Sequence, residues 1–185
     1  MKDGETSQQL TLSAQQVEAY RGGRLEPESP RESRGGRVTD DQRWLVKAIK
    51  QAEIGLSEGG VPIGAALVVD GKLIGEGRNR RVQSGNPILH GETDCLQQAG
   101  RLKADVYRRA TMYTTLSPCE MCTGAILLYK IPRVVIGENK TFMGAEATLL
   151  ARGVELVNME SDACVNLMNE FIGAHSDIWN EDIGE

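Results

Sequence analysis

The sequence has few of the residues from which several classes of protein are built. It contains four cysteines and two histidines among 185 residues. So few cysteines do not form a disulfide framework, and we expect a reducing compartment. No apolar run approaches the ~20 residues of a membrane-spanning helix, and no charged-then-apolar signal peptide follows Met1. We therefore expect neither a membrane partner nor secretion.

An excess of positive charge is also lacking. The formal net charge is −5 and the isoelectric point is about 5.2. A nucleic-acid-binding protein needs clustered lysine and arginine against phosphate, so we expect no nucleic-acid partner. The length corresponds to one domain that can bury a substantial core.

Residues 1–38 differ in composition from the rest of the chain. The stretch 21–37 contains a single large apolar residue, Leu25. Such a segment cannot bury enough surface to offset the entropy lost on ordering. We predict a disordered extension over residues 1–38 and a folded domain over residues 39–185. A transit peptide is the alternative, but Asp and Glu are too frequent for one.

The remaining sequence alternates between two hydrophobic periods. Apolar residues recur at helical spacing from Asp41 to Glu58, with a start at Thr39 or Asp40. Strands 63–69 and 73–77 are joined through Asp70-Gly71, which is a strong hairpin signal. Further strands are predicted at 110–115, 133–137 and 154–158, and further helices at 90–100, 119–129, 145–151 and 162–171. Strands that alternate with helices predict an α/β fold in which helices cover both faces of the sheet.

Two short motifs about thirty residues apart carry the chemistry. They are His90-Gly91-Glu92 and Pro118-Cys119-Glu120-Met121-Cys122, and together they match the established H-x-E…P-C-x-x-C pattern of zinc-dependent base deaminases. A catalytic zinc takes three protein ligands and keeps its fourth position for water. His90, Cys119 and Cys122 supply one nitrogen and two sulfurs. The Cys-x-x-Cys spacing places both thiols on one face of a helix's first turn, and Pro118 suits the start of that helix.

Glu92 is placed for proton transfer. It lies two residues from His90, so it is near the metal but is not needed as a ligand. Zinc lowers the pKa of a bound water from ~15.7 to about 7, and a nearby carboxylate can take the water's proton and pass it to a leaving nitrogen. Attack on an amino-bearing ring carbon with loss of ammonia is hydrolytic deamination.

Other readings of the two ligand cysteines are a redox pair and half of a structural zinc site. A structural site usually has four protein ligands, but Cys95 and Cys164 are single and His175 lies far along the chain. We interpret Cys95 and Cys164 as small buried apolar groups. A structural zinc module serving as a partner subunit would have no use for the carboxylate of Glu92.

The sequence around the motifs resembles the cytidine and deoxycytidylate deaminase superfamily, and within it the fungal cytosine deaminases. The similarity spans about residues 40–185 and rests on the two motifs and on segments 59–64, 113–125, 131–139 and 179–185. It implies a three-layer α/β/α sandwich of the cytidine deaminase-like kind, with a central mixed sheet of about five strands. It also implies one Zn²⁺ per chain, a homodimer, and conversion of free cytosine to uracil and ammonia in pyrimidine salvage. The compartment would be the cytoplasm, with the nucleus as an alternative.

The resemblance also implies individual roles. His90, Cys119 and Cys122 would bind zinc and Glu92 would shuttle protons. The Asn79 side chain and the Gly91 N–H would hold the N1–H and O2 edge of the base, Asp182 would contact its exocyclic amino group, Phe142 and Trp179 would wall it in, and Ile63, Leu116 and Ser117 would line the pocket. Segment 140–146 matches the family poorly apart from Phe142. Nucleoside, guanine and tRNA adenosine deaminases are the alternatives, although the tRNA enzyme should carry a basic face.

From the residues alone, several of these positions have an ordinary explanation. Asn79 fits a turn, the scarce aromatics Phe142 and Trp179 fit a core, and Asp182 belongs to an acidic chain end that would be solvated. The same end also carries apolar residues, namely Phe171, Ile178, Trp179 and Ile183. We therefore predict that the segment after Ser176 folds back as a lid that excludes water and ribose.

Overall fold

A computed structural model describes residues 34–185, with side chains from Asp40 onward. Most of the predicted extension, residues 1–38, lies outside the described residues, so that prediction stands untested. The described helices are α1 (Arg34–Ser57), α2 (Arg81–Ser84), α3 (Gly91–Ala99), α4 (Ala104–Tyr107), α5 (Glu120–Tyr129), α6 (Glu146–Ala151), α7 (Asp162–Ala174) and α8 (Ser176–Ile183). The described strands are β1 (Gly64–Val69), β2 (Lys72–Arg78), β3 (Ala110–Leu116), β4 (Arg133–Glu138) and β5 (Glu155–Asn158).

The five strands form one mixed sheet in the order β2-β1-β3-β4-β5. Strand β1 runs antiparallel to both β2 and β3, while β3, β4 and β5 are mutually parallel. Asp70 and Gly71 join β1 to β2 with φ angles of 50° and 71°, as a tight hairpin turn with two positive φ angles requires. The predicted mixed sheet of about five strands is confirmed.

Helices cover both faces of this sheet. Successive strand residues point to opposite faces, so Met112 belongs to the core formed with α3, α5 and α6. Its neighbour Tyr113 belongs to the core on the other face, with Trp44 of α1. Val134 and Val135 of β4 divide in the same way. The result is the predicted three-layer α/β/α sandwich.

A buried ion pair fastens α1 to the centre of the sheet. The carboxylate of Asp41, 5% exposed, accepts two hydrogen bonds from the Arg133 guanidinium at 2.8 Å each. It also accepts one from the Tyr113 hydroxyl at 2.9 Å. Bidentate contacts of this kind fix orientation as well as distance, so they set how α1 lies across β3 and β4.

The observed elements differ from the predicted ones at a few boundaries. Helix α1 begins at Arg34, so Asp40 lies inside it and does not cap it; a helix interior tolerates Asp at a cost of a fraction of a kcal/mol, about 0.7 or less. Pro118 precedes the cap residue Cys119 and lies outside the helix itself. The one-turn helices α2 and α4 were not predicted, because four residues are too few to show a period. Of the described helices, none combines the length and the hydropathy of a membrane span.

Candidate active site

Three metal-binding side chains meet at the starts of two helices. His90 is the residue before the first turn of α3, Cys119 occupies the same place before α5, and Cys122 lies in the first turn of α5. One ligand atom from each lies within 4.8 Å of the others, and His90 Nδ1 is 3.6 Å from Cys119 Sγ. The positive end of a helix dipole favours negative charge, so both helices favour thiolate at this point.

This donor set fits zinc. One imidazole nitrogen and two sulfurs are ligands that zinc takes readily. Tetrahedral coordination with Zn–N of about 2.0–2.1 Å and Zn–S near ~2.3 Å places the ligand atoms roughly 3.6–3.8 Å apart, and the observed 3.6 Å between His90 Nδ1 and Cys119 Sγ agrees. Among the described residues the cluster has no fourth His, Cys, Asp or Glu. Three ligands are the number of a catalytic zinc site.

The two thiols differ in their affinity for a proton. The hydrogen bond from Cys122 lowers the pKa of Cys119 to about 4, and the neighbouring His90 adds to that effect against the opposing influence of burial. The same hydrogen bond and burial raise the pKa of Cys122. Burial would lower the pKa of His90, but Cys119 and Asp182 outweigh it and raise that pKa. Of the two thiols, Cys119 therefore loses its proton more readily.

Glu92 lies beside this cluster in the first turn of α3. It is 3% exposed, and burial followed by the negative charge of Cys119 raises its pKa. The hydroxyl of Thr114 on β3 donates a hydrogen bond to Glu92 Oε1 at 3.1 Å. The carboxyl group is therefore held in one orientation and keeps a proton more readily than an exposed glutamate does. Nothing in the sequence singled out Thr114 beyond its place in a buried strand.

A small cavity joins this cluster to the predicted substrate contacts. Its volume of about 20 Å³ has room for roughly one water molecule. Its lining consists of Ile63, His90, Glu92, Leu116, Ser117, Cys119, Phe142, Trp179 and Asp182. Six of the eight residues expected to contact substrate are therefore in the lining, although they come from distant parts of the chain.

The other two expected contacts, Asn79 and Gly91, lie next to the cavity. Asn79 is fully buried; its amide donates to Asp182 Oδ1 at 2.7 Å, and its Oδ1 accepts the Arg81 N–H at 3.1 Å. Gly91 begins α3 against the backbone of Ile63, where an added Cβ would lie 3.1 Å from the Ile63 carbonyl oxygen. Asn79 therefore lies in a turn, as the residue type suggested, and its side chain is also a polar neighbour of the cavity.

Helix α8 lies over the cavity. Trp179 contacts Phe142 edge to face, with ring centroids 5.7 Å apart and planes at 85°. Trp179 also joins a core cluster with Ile63 and Leu116. Asp182, whose side chain is only 2% exposed, projects from the same helix. The acidic chain end is therefore packed against the domain in this structure.

Arg81 is a site residue that the sequence did not indicate. Its NH1 donates to Asp182 Oδ1 at 3.2 Å, and the same oxygen lies 3.9 Å from His90 Nε2. A carboxylate near the outer nitrogen of a ligating histidine is a frequent partner in zinc sites, since it orients the ring. Arg81 lies only two residues after Asn79. However, three of the four residues from Arg78 to Arg81 are arginines, and a cationic run of this kind is typical of a solvated surface.

The loop between β4 and α6 holds the remaining wall of the cavity. The backbone N–H groups of Lys140 and Thr141 donate to the buried carboxylate of Glu138 at 2.5 and 3.0 Å. At the other end of the loop, the Gly144 N–H donates to Ser117 Oγ at 3.0 Å. A Cβ at Gly144 would lie 1.9 Å from the Pro118 carbonyl oxygen, so only glycine fits there. Phe142 is thereby fixed, although its flanking sequence gave little support.

Comparisons with known proteins agree with this geometry. Residues 38–138 match the family model described as the cytidine and deoxycytidylate deaminase zinc-binding region. A cytosine deaminase of Candida albicans is 50% identical over 147 residues, which cover 79% of this chain and 98% of that protein. A tRNA-specific adenosine deaminase 2 of Xenopus tropicalis is 35% identical over 120 residues, covering 60% of this chain and 71% of that protein.

Solved structures support the fold. A tRNA:A34 deaminase studied for A-to-I editing at the wobble position superposes with a TM-score of 0.59 at 24% identity, covering 68% of this chain and 99% of that one. At this identity the likeness concerns the fold alone. Together with the matched zinc-binding region, which covers more than half of the chain, these findings show that the chain belongs to the cytidine and deoxycytidylate deaminase family of zinc-dependent hydrolytic deaminases.

Proposed function

We propose that this chain converts free cytosine to uracil and ammonia with one zinc ion per chain. The observation that carries the proposal is the small cavity lined by His90, Cys119, Glu92 and Asp182, beside which Cys122 completes the metal-binding cluster. The 50% identity to a curated cytosine deaminase over most of the chain supports the choice of substrate. A role in pyrimidine salvage, in the cytoplasm or alternatively the nucleus, is the corresponding proposal for its place in the cell.

In this reaction Glu92 carries the protons. His90, Cys119 and Cys122 would hold zinc, which supplies the Lewis acidity that makes water reactive near neutral pH. The Glu92 carboxylate accepts the water's proton and then donates it to the departing nitrogen. Its burial and raised pKa suit a group that must hold this proton between the two events. Thr114 fixes the orientation of the carboxylate through its hydrogen bond to Oε1.

The polar groups beside the cavity match the edge of a pyrimidine base. The Asp182 carboxylate would accept a hydrogen bond from the exocyclic amino group. The Asn79 side chain and the Gly91 N–H would hold the N1–H and O2 edge, since a carbonyl oxygen can accept two hydrogen bonds. Phe142 and Trp179 would cover the ring. Ile63, Leu116 and Ser117 would complete the lining.

Entry of a base requires α8 to move. A pyrimidine is several times larger than the roughly 20 Å³ cavity, and α8 contributes both Trp179 and Asp182 to the lining. We propose that α8 is a lid that opens for the base and closes over it, so that water is excluded during the reaction.

The proposed partner of the chain is a second copy of itself. Met121, Leu128 and Tyr129 are exposed apolar residues, and Met121 and Leu128, which are seven residues apart on α5, share one face of the helix. Leu128 is 73% exposed, while the opposite face of α5 buries Cys122 and Ile126 in the core. A helix that is apolar on both sides favours an interface. Light scattering should give twice the chain mass; a monomer at micromolar concentration would contradict this proposal.

The decisive test of function is ammonia release from a panel of free bases and nucleosides, together with zinc analysis. We expect cytosine to be the best substrate and one zinc per chain. Guanine, cytidine or adenosine as the preferred substrate would replace the proposal by one of the other deaminase activities. Full loading with zinc but no turnover of any of these compounds would favour a non-catalytic zinc module.

A further inference from the structure

The proposed reaction leaves one charged side chain at the rim of the site without a role. Arg81 is the first residue of α2, and its guanidinium NH1 lies 3.2 Å from Asp182 Oδ1. Its side chain is 22% exposed, whereas that of Asp182 is 2% exposed. The pair therefore joins a partly solvated cation to a buried carboxylate of the cavity lining.

This contact connects two elements that are 101 residues apart in sequence. Helix α8 otherwise packs through apolar side chains, since Trp179, Ile178 and Ile183 belong to or border one core cluster. In the described part of the chain, the hydrogen bonds and ion pairs that tie α8 to other elements run through Asp182. Apolar contacts hold α8 against the domain but are not directional. These polar contacts therefore set the orientation of α8.

Asp182 needs a cationic partner because a buried carboxylate without one is costly. The amide of Asn79 is a neutral donor. His90 would be a zinc ligand, and a ligating imidazole is neutral. Arg81 is therefore the cation that balances Asp182 once the site is loaded. Asn79 and Arg81 both bind Oδ1, which leaves the second oxygen for the cavity.

We infer that Arg81 is a positioning residue of the base site, which fixes the Asp182 carboxylate and, through it, the closed position of α8. The inference rests on the proposed function, because Asp182 acts there on the exocyclic amino group. Arg81 itself does not line the cavity and touches no reacting atom. Its loss should weaken base binding more than it slows the chemistry, since Glu92 and the metal ligands remain in place.

The first test compares Arg81→Gln, Arg81→Lys and the control Arg78→Gln. Arg78 lies three residues earlier and pairs with Glu58 at 2.7 Å, away from the cavity lining. Arg81→Gln should raise KM for cytosine about tenfold, the size expected for one hydrogen bond to a charged group, with kcat within about threefold of the parent. Arg81→Lys should recover most of the loss, and Arg78→Gln should leave both constants unchanged. An unchanged KM in Arg81→Gln, no recovery with lysine, or an equal effect of Arg78→Gln would overturn the inference.

The second test reads the position of α8 without catalysis. The chain has two tryptophans, so a Trp44→Phe background leaves Trp179 on α8 as the sole tryptophan, whose emission can be excited selectively. Acrylamide should quench Trp179 more strongly in Arg81→Gln than in the background or in Arg78→Gln, with zinc content and melting temperature unchanged. In an Asp182→Asn background, Arg81→Gln should add no further quenching, because the contact is already lost. Equal quenching in all variants would overturn the inference.

The two proposals fail in different ways. If the parent protein releases no ammonia from cytosine, the proposed function is wrong, and the quenching series still decides whether Arg81 holds α8. If the parent is active but neither KM nor quenching responds to Arg81→Gln, the function stands and the positioning role is wrong.

Discussion

Glu92 and Thr114 show how a single residue acquires a chemical role from its surroundings. Glu92 would be an ordinary first-turn acid on an exposed helix. Here it is buried, its pKa is raised by burial and by Cys119, and the hydroxyl of Thr114 fixes one of its oxygens. The carboxyl group is therefore held in one orientation and keeps a proton more readily than an exposed glutamate does.

Replacing Glu92 with Gln should separate proton transfer from metal binding. The amide keeps the size of the side chain but cannot relay a proton, so deamination should fall by ~10²–10⁴ or more, while zinc content and melting temperature stay close to those of the parent. Thr114→Val is the matched variant, because it removes only the orienting hydroxyl; its loss should be nearer tenfold. Substantial turnover by Glu92→Gln would show that another group carries the proton.

The thiols give a second prediction at this scale, for protein stripped of metal by a chelator. A pKa of about 4 for Cys119 means that its thiolate is present above about pH 4 and is lost below it. Alkylation by iodoacetamide should therefore proceed at a nearly constant rate from pH 5 to 7. An ordinary cysteine, with a pKa of about 8.5, instead reacts roughly tenfold faster for each unit by which the pH rises over this range.

Cys95 and Cys164 serve as internal controls for that experiment. Both are buried, and burial raises the pKa of each, to about 11 for Cys164 and further for Cys95. Mass spectrometry should find the label on Cys119, and added zinc should protect it. Labelling that rises steeply through this pH range, or that favours Cys95, would contradict the assignment.

At the scale of the elements, the structure depends on how helices are fastened to the sheet. Helix α1 is held by the ion pair between Asp41 and Arg133, whose side chains are 7% and 10% exposed. Asp41→Ala removes the carboxylate that pairs with the buried Arg133 guanidinium. Breaking a buried ion pair in this way typically lowers the free energy of unfolding by about 3–5 kcal/mol. Urea unfolding should show this loss of unfolding free energy. The control is Arg109→Ala, which breaks surface ion pairs to Asp70 and Asp105. Because the Arg109 side chain is 48% exposed, this change should cost about 1 kcal/mol or less.

An equal loss in the two variants would mean that the buried pair contributes no more than a surface one. The Tyr113 hydroxyl, which also donates to Asp41, offers a finer comparison, since Tyr113→Phe removes one donor and leaves the ion pair. Its cost should be near ~1 kcal/mol.

Helix α8 is predicted to act on substrate choice. Cutting the chain after Ser176 removes Trp179 and Asp182 from the cavity lining, so cytosine turnover should collapse and any residual activity should discriminate less against cytidine. A site that hydrogen-bonds the ring N1–H can reject a nucleoside by ~10⁴ or more, whereas apolar contacts alone achieve roughly 10–200-fold. Assays of both substrates check this, and full activity of the truncated protein would show that selectivity comes from elsewhere.

At the scale of the whole molecule, the described residues bury their core on both faces of one sheet. The composition of residues 1–33 offers little apolar surface for packing. Removing them, with the cut placed before α1 at Arg34, should therefore change the melting temperature by about a degree or two and leave activity intact. A large fall in melting temperature would show that this segment docks on the domain.

Much of the fold and of the metal cluster could be predicted because the signals are local. Hydrophobic period gave the strands and the longer helices, Asp70-Gly71 gave the hairpin, and the spacing of Cys119 and Cys122 placed two ligands on one helix start. The short helices α2 and α4 escaped because a single turn has no period. The first turns of α1 were not predicted because residues 34–39 include two glycines and a single apolar residue, Val38, and so show no helical period.

The sequence by itself determined the type of chemistry, since one imidazole, two thiols and a carboxylate in two short motifs specify a catalytic zinc and its proton carrier. Only the tertiary structure decided which groups surround that centre. Thr114 lies 22 residues along the chain from Glu92, which it contacts. Arg81 and Asp182 lie 9 and 92 residues from His90. Their types are common on solvated surfaces. No local pattern distinguishes a carboxylate that will be buried beside an arginine from one left in water, because that difference arises when α8 packs over the sheet.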